Sequence, residues 1–230
     1  MSESTEDKPK LNIKLTFLIG LAFFTTGISW SLYNTQVNQE LYDYLGVWSL
    51  VGLLMALDNI IGVVIQPIMG SVSDSTRSRL GRRMPYIIVG TISAAIFFTL
   101  IPTGFNTSIW ILLIWMLFFS ISMGFYRSQA VALMPDFVRP YNRSKANAVI
   151  NMMGGIGSIF AFTLSLISDY IGLFTVFLIG AIIMIVALII LVSQVKEKNA
   201  YSYQLVLQAE QDATKDVEDI DENSLFEHVD

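Results

Sequence analysis

Six apolar runs divide this chain, and every second gap between them is basic. The runs lie at about 13–36, 47–69, 86–102, 109–133, 146–167 and 173–192. A helix needs roughly 20 predominantly apolar residues to cross a bilayer. Each run is near that length, and the gaps are short, as between antiparallel neighbours in a bundle. The expectation is an all-α membrane protein with six transmembrane helices over 13–194. Composition agrees, with 53% hydrophobic and 14% charged residues, where a soluble domain carries about a quarter charged. The first run is too long for a secretory core and no small-residue cleavage site follows it, so residues 1–12 read as a tail and not a signal peptide.

Lysine and arginine set the orientation. Lys8, Lys10 and Lys14 flank the start of the first run. Arg77, Arg79, Arg82 and Arg83 fall between the second and third, and Arg139, Arg143 and Lys145 between the fourth and fifth. Lys196, Lys198 and Lys215 follow the sixth, while the alternate loops at 37–46, 103–108 and 168–172 have none. The positive-inside rule then puts both termini in the cytoplasm, with the chain multi-pass in the cell (plasma) membrane. Residues 195–230 are acidic and read as a largely disordered cytoplasmic tail or truncated central linker, with a short helix near 203–209. Cysteine is absent and the one histidine, His228, lies in that tail. Disulfide scaffolds, thiolate metal sites and histidine-based catalysis are therefore excluded. No metal, cofactor, catalytic residue or nucleic-acid partner is expected, and the lipid bilayer is the surrounding partner.

The densest stretch runs from Asp58 to Pro85. An apolar segment carrying an acid breaks at Gln66-Pro67 and empties into a turn holding Gly70, Asp74, Arg77, Arg79, Gly81, Arg82 and Arg83. One reading is topological charge alone. The sharper one is a conformational gate, in which Gly70 permits close packing, Asp74 caps a helix N-terminus and Arg82 and Arg83 exchange acidic partners between two states.

Two charges, Asp58 and Arg127, fall at membrane depth, each costing about 2.5–3.5 kcal/mol at a helix centre on insertion scales. Such residues mark substrate or ion paths, or pair to lock two helices together. The planar fork of Arg127 suits paired sugar hydroxyls or a carboxylate. A carboxylate such as Asp58 takes up and releases a proton, or ligates sodium. In the first run Trp30 and Asn34 share a face, as do Ser31, Asn34 and Asn38. An aromatic ring beside amides suits a pyranose, and helix–helix hydrogen bonding with an interfacial belt is the alternative. Asn38 is expected near the outer surface. In the fifth run Asn147, Asn151, Gly154 or Gly155, and Ser158 form one stripe. Gly154, Gly155 and Gly157 follow no strand, so they read as close helix approach and not as a phosphate loop.

These residues resemble a known family. Gln66-Pro67, Gly70, Ser73-Asp74, then Ser78-Arg79, Gly81-Arg82-Arg83 and Pro85-Tyr86 resemble the loop between spans two and three of the glycoside–pentoside–hexuronide:cation symporters. That group belongs to the major facilitator superfamily, and the likeness is strongest to the sucrose/proton symporter branch and its bacterial relatives. Tyr126-Arg127-Ser128, Ala130, Pro135-Asp136 and Arg143, Lys145-Ala146-Asn147-Ala148 are similar to the same branch. The resemblance implies an N-terminal half built of two inverted three-helix repeats, with spans one and four lining a cavity and Arg127 touching the sugar. It implies alternating access driven by a proton, and Asp74 capping a helix of a complementary six-helix half; sodium stays the alternative that the Asp58 carboxylate leaves open. Ser75 stands where the superfamily usually has Lys or Arg. Met116 stands where plant-type sucrose carriers have an aspartate, which leaves Asp58 as the coupling candidate.

The expectation is therefore a half-length secondary active transporter for a sucrose- or maltose-like glycoside, not an enzyme, working with a second half or a second copy. The rivals are a non-transporting regulatory or vestigial membrane subunit and a carrier of another small solute.

Overall fold

The computed structural model describes residues 11–105, 107–197 and 200–209, with the side chain of Asp58 left out. The described residues form α1 (Ile13–Leu45), α2 (Trp48–Ser75), α3 (Met84–Leu100), α4 (Ile109–Phe137), α5 (Arg143–Leu166), the single turn α6 (Ser168–Ile171) and α7 (Leu173–Gln194). A further helical stretch occupies 201–209. The six long helices, with the turn 101–104 completing the third, are long and apolar enough to cross a membrane.

Two boundaries differ most from the sequence expectation. α1 runs nine residues past Gln36, because Val37 and Leu41 stay buried while Asn38, Gln39, Glu40 and Asp43 take the wetter face. At 1.5 Å per residue the helix measures ~50 Å, longer than a hydrocarbon core of ~30 Å. Gly46 ends it at φ 67°, donating its N–H to the Tyr42 carbonyl at 2.7 Å. This is a left-handed cap that only a glycine adopts without strain. The expected break at Gln66-Pro67 is also absent, and α2 continues to Ser75 with Pro67 inside it. Proline costs one rung of the ladder, a loss that spanning helices tolerate.

The helices pair in a pattern with internal symmetry. α1 packs on α5 and α2 on α4; α3 packs on α4 and α7 on α1; α3 and α7 pack on each other. Exchanging α1, α2 and α3 for α4, α5 and α7 maps this set of neighbours onto itself. That is the arrangement of two three-helix repeats.

One side of the bundle is filled by aromatic rings. Phe98 lies 4.6 Å from Phe177 and 5.3 Å from Phe119, and Phe119 lies 5.1 Å from Tyr33. All four side chains are fully buried, and they join α1, α3, α4 and α7. Met116, at the position the family likeness gives to an aspartate, is buried in this core. The α1–α5 seam is a contact of backbones. A β-carbon on Gly27 would run into the Gly154 carbonyl, and one on Gly157 into the Phe24 carbonyl. Gly154 and Gly157 therefore serve the close approach expected of them, while Gly155 meets open space. α2 is the least covered helix, with Leu53, Ile60, Val63 and Ile68 all more than half exposed.

Candidate functional site

A cavity of about 500 Å³ opens between α1, α2, α4 and α5. α1 contributes Trp30, Ser31 and Asn34 at helical spacing, α2 contributes Asn59, α4 Arg127, and α5 Asn151 and Ser158. Arg127 is exposed to this space and joins no ion pair or hydrogen bond among the described residues. Asn151 is turned on its own helix, donating Nδ2 to the Asn147 carbonyl at 2.8 Å. Ser158 Oγ donates to the Gly154 carbonyl at 3.2 Å.

Trp30 closes the wall toward the aromatic core. Its ring meets Tyr33 edge-on at 5.5 Å and Phe119 at 5.8 Å. Its indole N–H is buried without an acceptor among the described residues. An unmade donor in that position costs the desolvation of the group, about 1–3 kcal/mol. A recess of about 120 Å³ lies behind, sharing Trp30, Asn59 and Arg127 and adding Gln66 and Ser120.

The structure thus brings Trp30, Asn34 and Arg127 to one cavity, an arrangement that the family resemblance implies for spans one and four. Asn38 is not in its wall. Asp58 lies in α2 directly before Asn59, and its side chain is outside the described residues. Asn59, which the sequence reading passed over, is the α2 polar residue in both cavities. Its one cue was its place beside an acid at membrane depth. As a chemical surface, the site offers a fork of cationic donors, amides that both donate and accept, and an aromatic wall. A polyol of ring size can use all three.

At one end of the bundle sits a second charged arrangement, built in the opposite way. Arg82 and Arg83, at the start of α3, are buried. Arg83 Nε donates to Asp136 Oδ2 at 2.6 Å, Nη2 to Asp74 Oδ1 at 2.8 Å, and Nη1 to Ser73 Oγ at 2.7 Å. Arg82 Nη2 donates to Asp136 Oδ1 and to Ser202 Oγ, both at 2.8 Å. Asp136 is buried at the end of α4, so these pairs join one three-helix repeat to the other. Asp74 keeps 55% of its side chain exposed beside Arg83.

Glu197 completes the cluster, against the expectation of a solvated tail from residue 195. It is 1% exposed. Its carboxylate accepts from the backbone N–H of Arg83 at 2.8 Å and of Met84 at 2.9 Å, capping α3. Burial lifts its carboxyl above the usual carboxylate range, against the pull of those N–H groups and with help from the Asp136 charge. Gly81 takes φ 116°, and a β-carbon there would strike Glu197. Ala200 and Tyr203 are buried as well, and Arg139 stands 5.3 Å above the Tyr201 ring. Residues 1–10 and 210–230, which carry the rest of the predicted tails, lie outside the described residues.

Two of the expected gate residues have no part in the cluster. Gly70 faces open space, so close packing does not explain it within this chain. Arg79 is exposed and joins no ion pair among the described residues. Asp136 and Glu197 were missed as gate residues. Nothing in the local sequence marks an acid in a charged segment as the buried one.

Comparison with known proteins bears on the fold as a whole. The family model described as Major Facilitator Superfamily matches residues 19–209. The chain is similar to a lactose permease of Lactobacillus helveticus, 36% identical over 36% of the chain and 12% of the permease. It is similar to an uncharacterized symporter of Synechocystis sp., 30% identical over 64% of the chain and 29% of that protein. A sucrose transport protein of Oryza sativa subsp. indica is 25% identical over 70% of the chain and 36% of its own length. The chain spans little more than a third of these curated relatives at most.

Proposed function

The chain belongs to the major facilitator superfamily, and on that premise we propose that it forms one wall of a sugar:cation symporter. The observation that carries the reading is Arg127, a cation in the wall of a polar cavity with no partner among the described residues. Its fork takes adjacent hydroxyls of a glycoside, and Trp30 lies under the ring face. Asn34 fixes the remaining hydroxyls. Relatives named as permease, symporter and sucrose transport protein support a sugar as the solute.

Coupling falls to Asp58, beside Asn59, with a proton as the ion and sodium as its competitor for the same oxygens. The facing wall of the cavity is supplied by a complementary six-helix unit or a second copy. The Asp74–Arg83–Asp136 cluster is the gate that opens and closes one end of the path. The bias of Lys and Arg supports placing that end, and both termini, in the cytoplasm of a cell whose plasma membrane the protein crosses. On this view residues 1–12 are a tail, 13–194 the bundle, and 195–230 the linker whose first part docks on the gate.

The test is sugar-dependent proton uptake into vesicles holding the chain with a complementary six-helix unit. Sucrose, lactose and maltose are each offered with and without sodium. Alkalinisation that disappears in Arg127→Ala is the expected outcome. No alkalinisation with any of the three, or no change in Arg127→Ala, sinks the assignment.

A further inference from the structure

Gln129 stands between the cavity and the charge cluster. It lies in α4, two residues after Arg127 and one before Ala130, both of which line the cavity. Its side chain is fully buried. The carboxamide is used at both ends. Oε1 accepts from Arg83 Nη1 at 3.2 Å, while Nε2 donates to the Met69 carbonyl at 2.9 Å and to Ser128 Oγ at 3.1 Å. One side chain of α4 thus holds the backbone of α2 and the guanidinium that opens α3.

The amide meets both demands from one side chain. A carbonyl needs a donor and a guanidinium needs an acceptor. The orientation is therefore fixed, because a flipped amide would set NH₂ against the guanidinium and oxygen against the carbonyl. Glutamate would satisfy Arg83, set an acceptor against the Met69 carbonyl and add a buried negative charge beside the guanidinium that Asp136 already holds. An aliphatic side chain would remove both bonds, leaving Arg83 Nη1 with Ser73 alone and the Met69 carbonyl with its own helix. The other partners of Arg83 differ in kind. Asp136, Asp74 and Ser73 hold it without lining the cavity. Gln129 alone among them sits within one helical turn of Arg127.

We propose that Gln129 is the positioning residue that couples the cavity to the gate. A solute that draws on Arg127 shifts this turn of α4 against α2 and strains the bonds to Met69 and Arg83 together. Release of Arg83 from its acids shifts the turn in the reverse sense. Coupling of this kind is reciprocal by thermodynamic necessity. The idea rests on the reading of the cavity as a solute site and the cluster as a gate, but its first test needs no solute.

The chain has no cysteine, so one introduced thiol is a clean reporter. Maleimide labelling of Ser158→Cys, in the cavity wall, is followed in the full chain in lipid nanodiscs. With Gln129 in place, Arg83→Ala is expected to change the labelling rate several-fold. In a Gln129→Met background the same substitution is expected to change nothing further. Additive effects of the two substitutions, or no effect of either, overturn the proposal. Ser73→Ala removes a different partner of Arg83 Nη1 and is expected to leave the rate unchanged; an effect equal to that of Gln129→Met would mean general loosening and overturn it too. Should Gln129→Met fail to fold, Gln129→Asn, a shorter amide, carries the same cycle. In a separate arm, sucrose or lactose is added to chains labelled through Leu80→Cys in the α2–α3 turn. A response in the native chain that is lost in Gln129→Met supports the coupling. Silence of the native chain to both sugars counts against the solute reading, and the solute-free cycle still decides the role of Gln129.

Discussion

Arg127 and Arg83 are both arginines inside a membrane protein, and their surroundings are opposite. Arg83 makes four side-chain hydrogen bonds, to Asp136, Ser73, Gln129 and Asp74. Arg127 faces a cavity whose polar lining is amides, hydroxyls and one indole, with Phe23, Met55 and Val131 among the rest, and no acid is paired to it among the described residues. An arginine whose fork is filled by the protein holds structure together, and its removal leaves buried acids uncompensated. On the proposed reading, an arginine whose fork the described residues leave open is kept for a solute that arrives and leaves. The difference separates stability from binding, so each can be attacked without the other.

The largest expected effect is on the filled side. Asp136→Ala strips both Arg82 and Arg83 of their shared carboxylate inside a buried cluster. Breaking such a pair costs about 3–5 kcal/mol. Denaturant unfolding in detergent micelles should show that loss, while Arg127→Ala should stay within about 0.5 kcal/mol of the native chain. Equal destabilisation by the two would erase the contrast between them.

On the open side the expected loss is in affinity. Arg127→Lys keeps the charge and gives up the planar fork. A hydrogen bond to a charged group is worth about 1.5–3 kcal/mol, so sugar binding should weaken about 10- to 100-fold. Titration calorimetry with sucrose or lactose on the full chain reads this directly. Unchanged affinity would mean that Arg127 acts as a point charge, which fits an anionic solute better than a sugar.

The seam that carries the cavity wall comes next. Gly27→Ala places a β-carbon against the Gly154 carbonyl, a backbone atom that no rotamer change can move aside. Overpacking of this kind costs about 1–3 kcal/mol. Because Trp30 and Asn34 lie on α1 and Asn151 on α5, affinity should fall along with thermal stability. Gly52→Ala, which meets open space away from the cavity lining, should alter neither.

Much of this was legible in the sequence, and the rest for a physical reason was not. Six spans, their order and the shared face of Trp30 and Asn34 follow from hydropathy and helical period, which are local properties, whereas the meeting of that face with Arg127 comes only from the family resemblance. The continuation of α2 through Pro67 was not legible, because whether a proline breaks a spanning helix depends on the packing around it. The partners of Arg82 and Arg83 were hidden for a different reason. Asp136 and Glu197 are 53 and 114 residues from Arg83, and one lies in a segment whose composition reads as solvated. Gln129 was invisible too, since a single amide in an apolar run carries no mark of the two groups it joins.

The smallest effect concerns Glu197, and it tests whether the filled side responds to protons while the open side binds solute. Its carboxyl is raised because burial outweighs the three N–H groups of Met84, Arg83 and Arg82, and Asp136 adds to the rise. A group whose value is raised on docking takes up a proton as it docks. Docking of residues 195–209 is therefore at full strength below the ordinary carboxylate value. It weakens as pH climbs from there through the raised one, where burial must accommodate the ionised form. Hydrogen exchange of the Arg83 and Met84 amides, corrected for intrinsic rates, should show protection falling over that window. Glu197→Gln keeps one acceptor and removes the titration, so it should give weaker protection with no slope over the same window. A slope that survives in Glu197→Gln would move the proton to another group of the cluster. A slope of opposite sign would mean that the N–H cap and the arginines, not burial, govern this carboxylate.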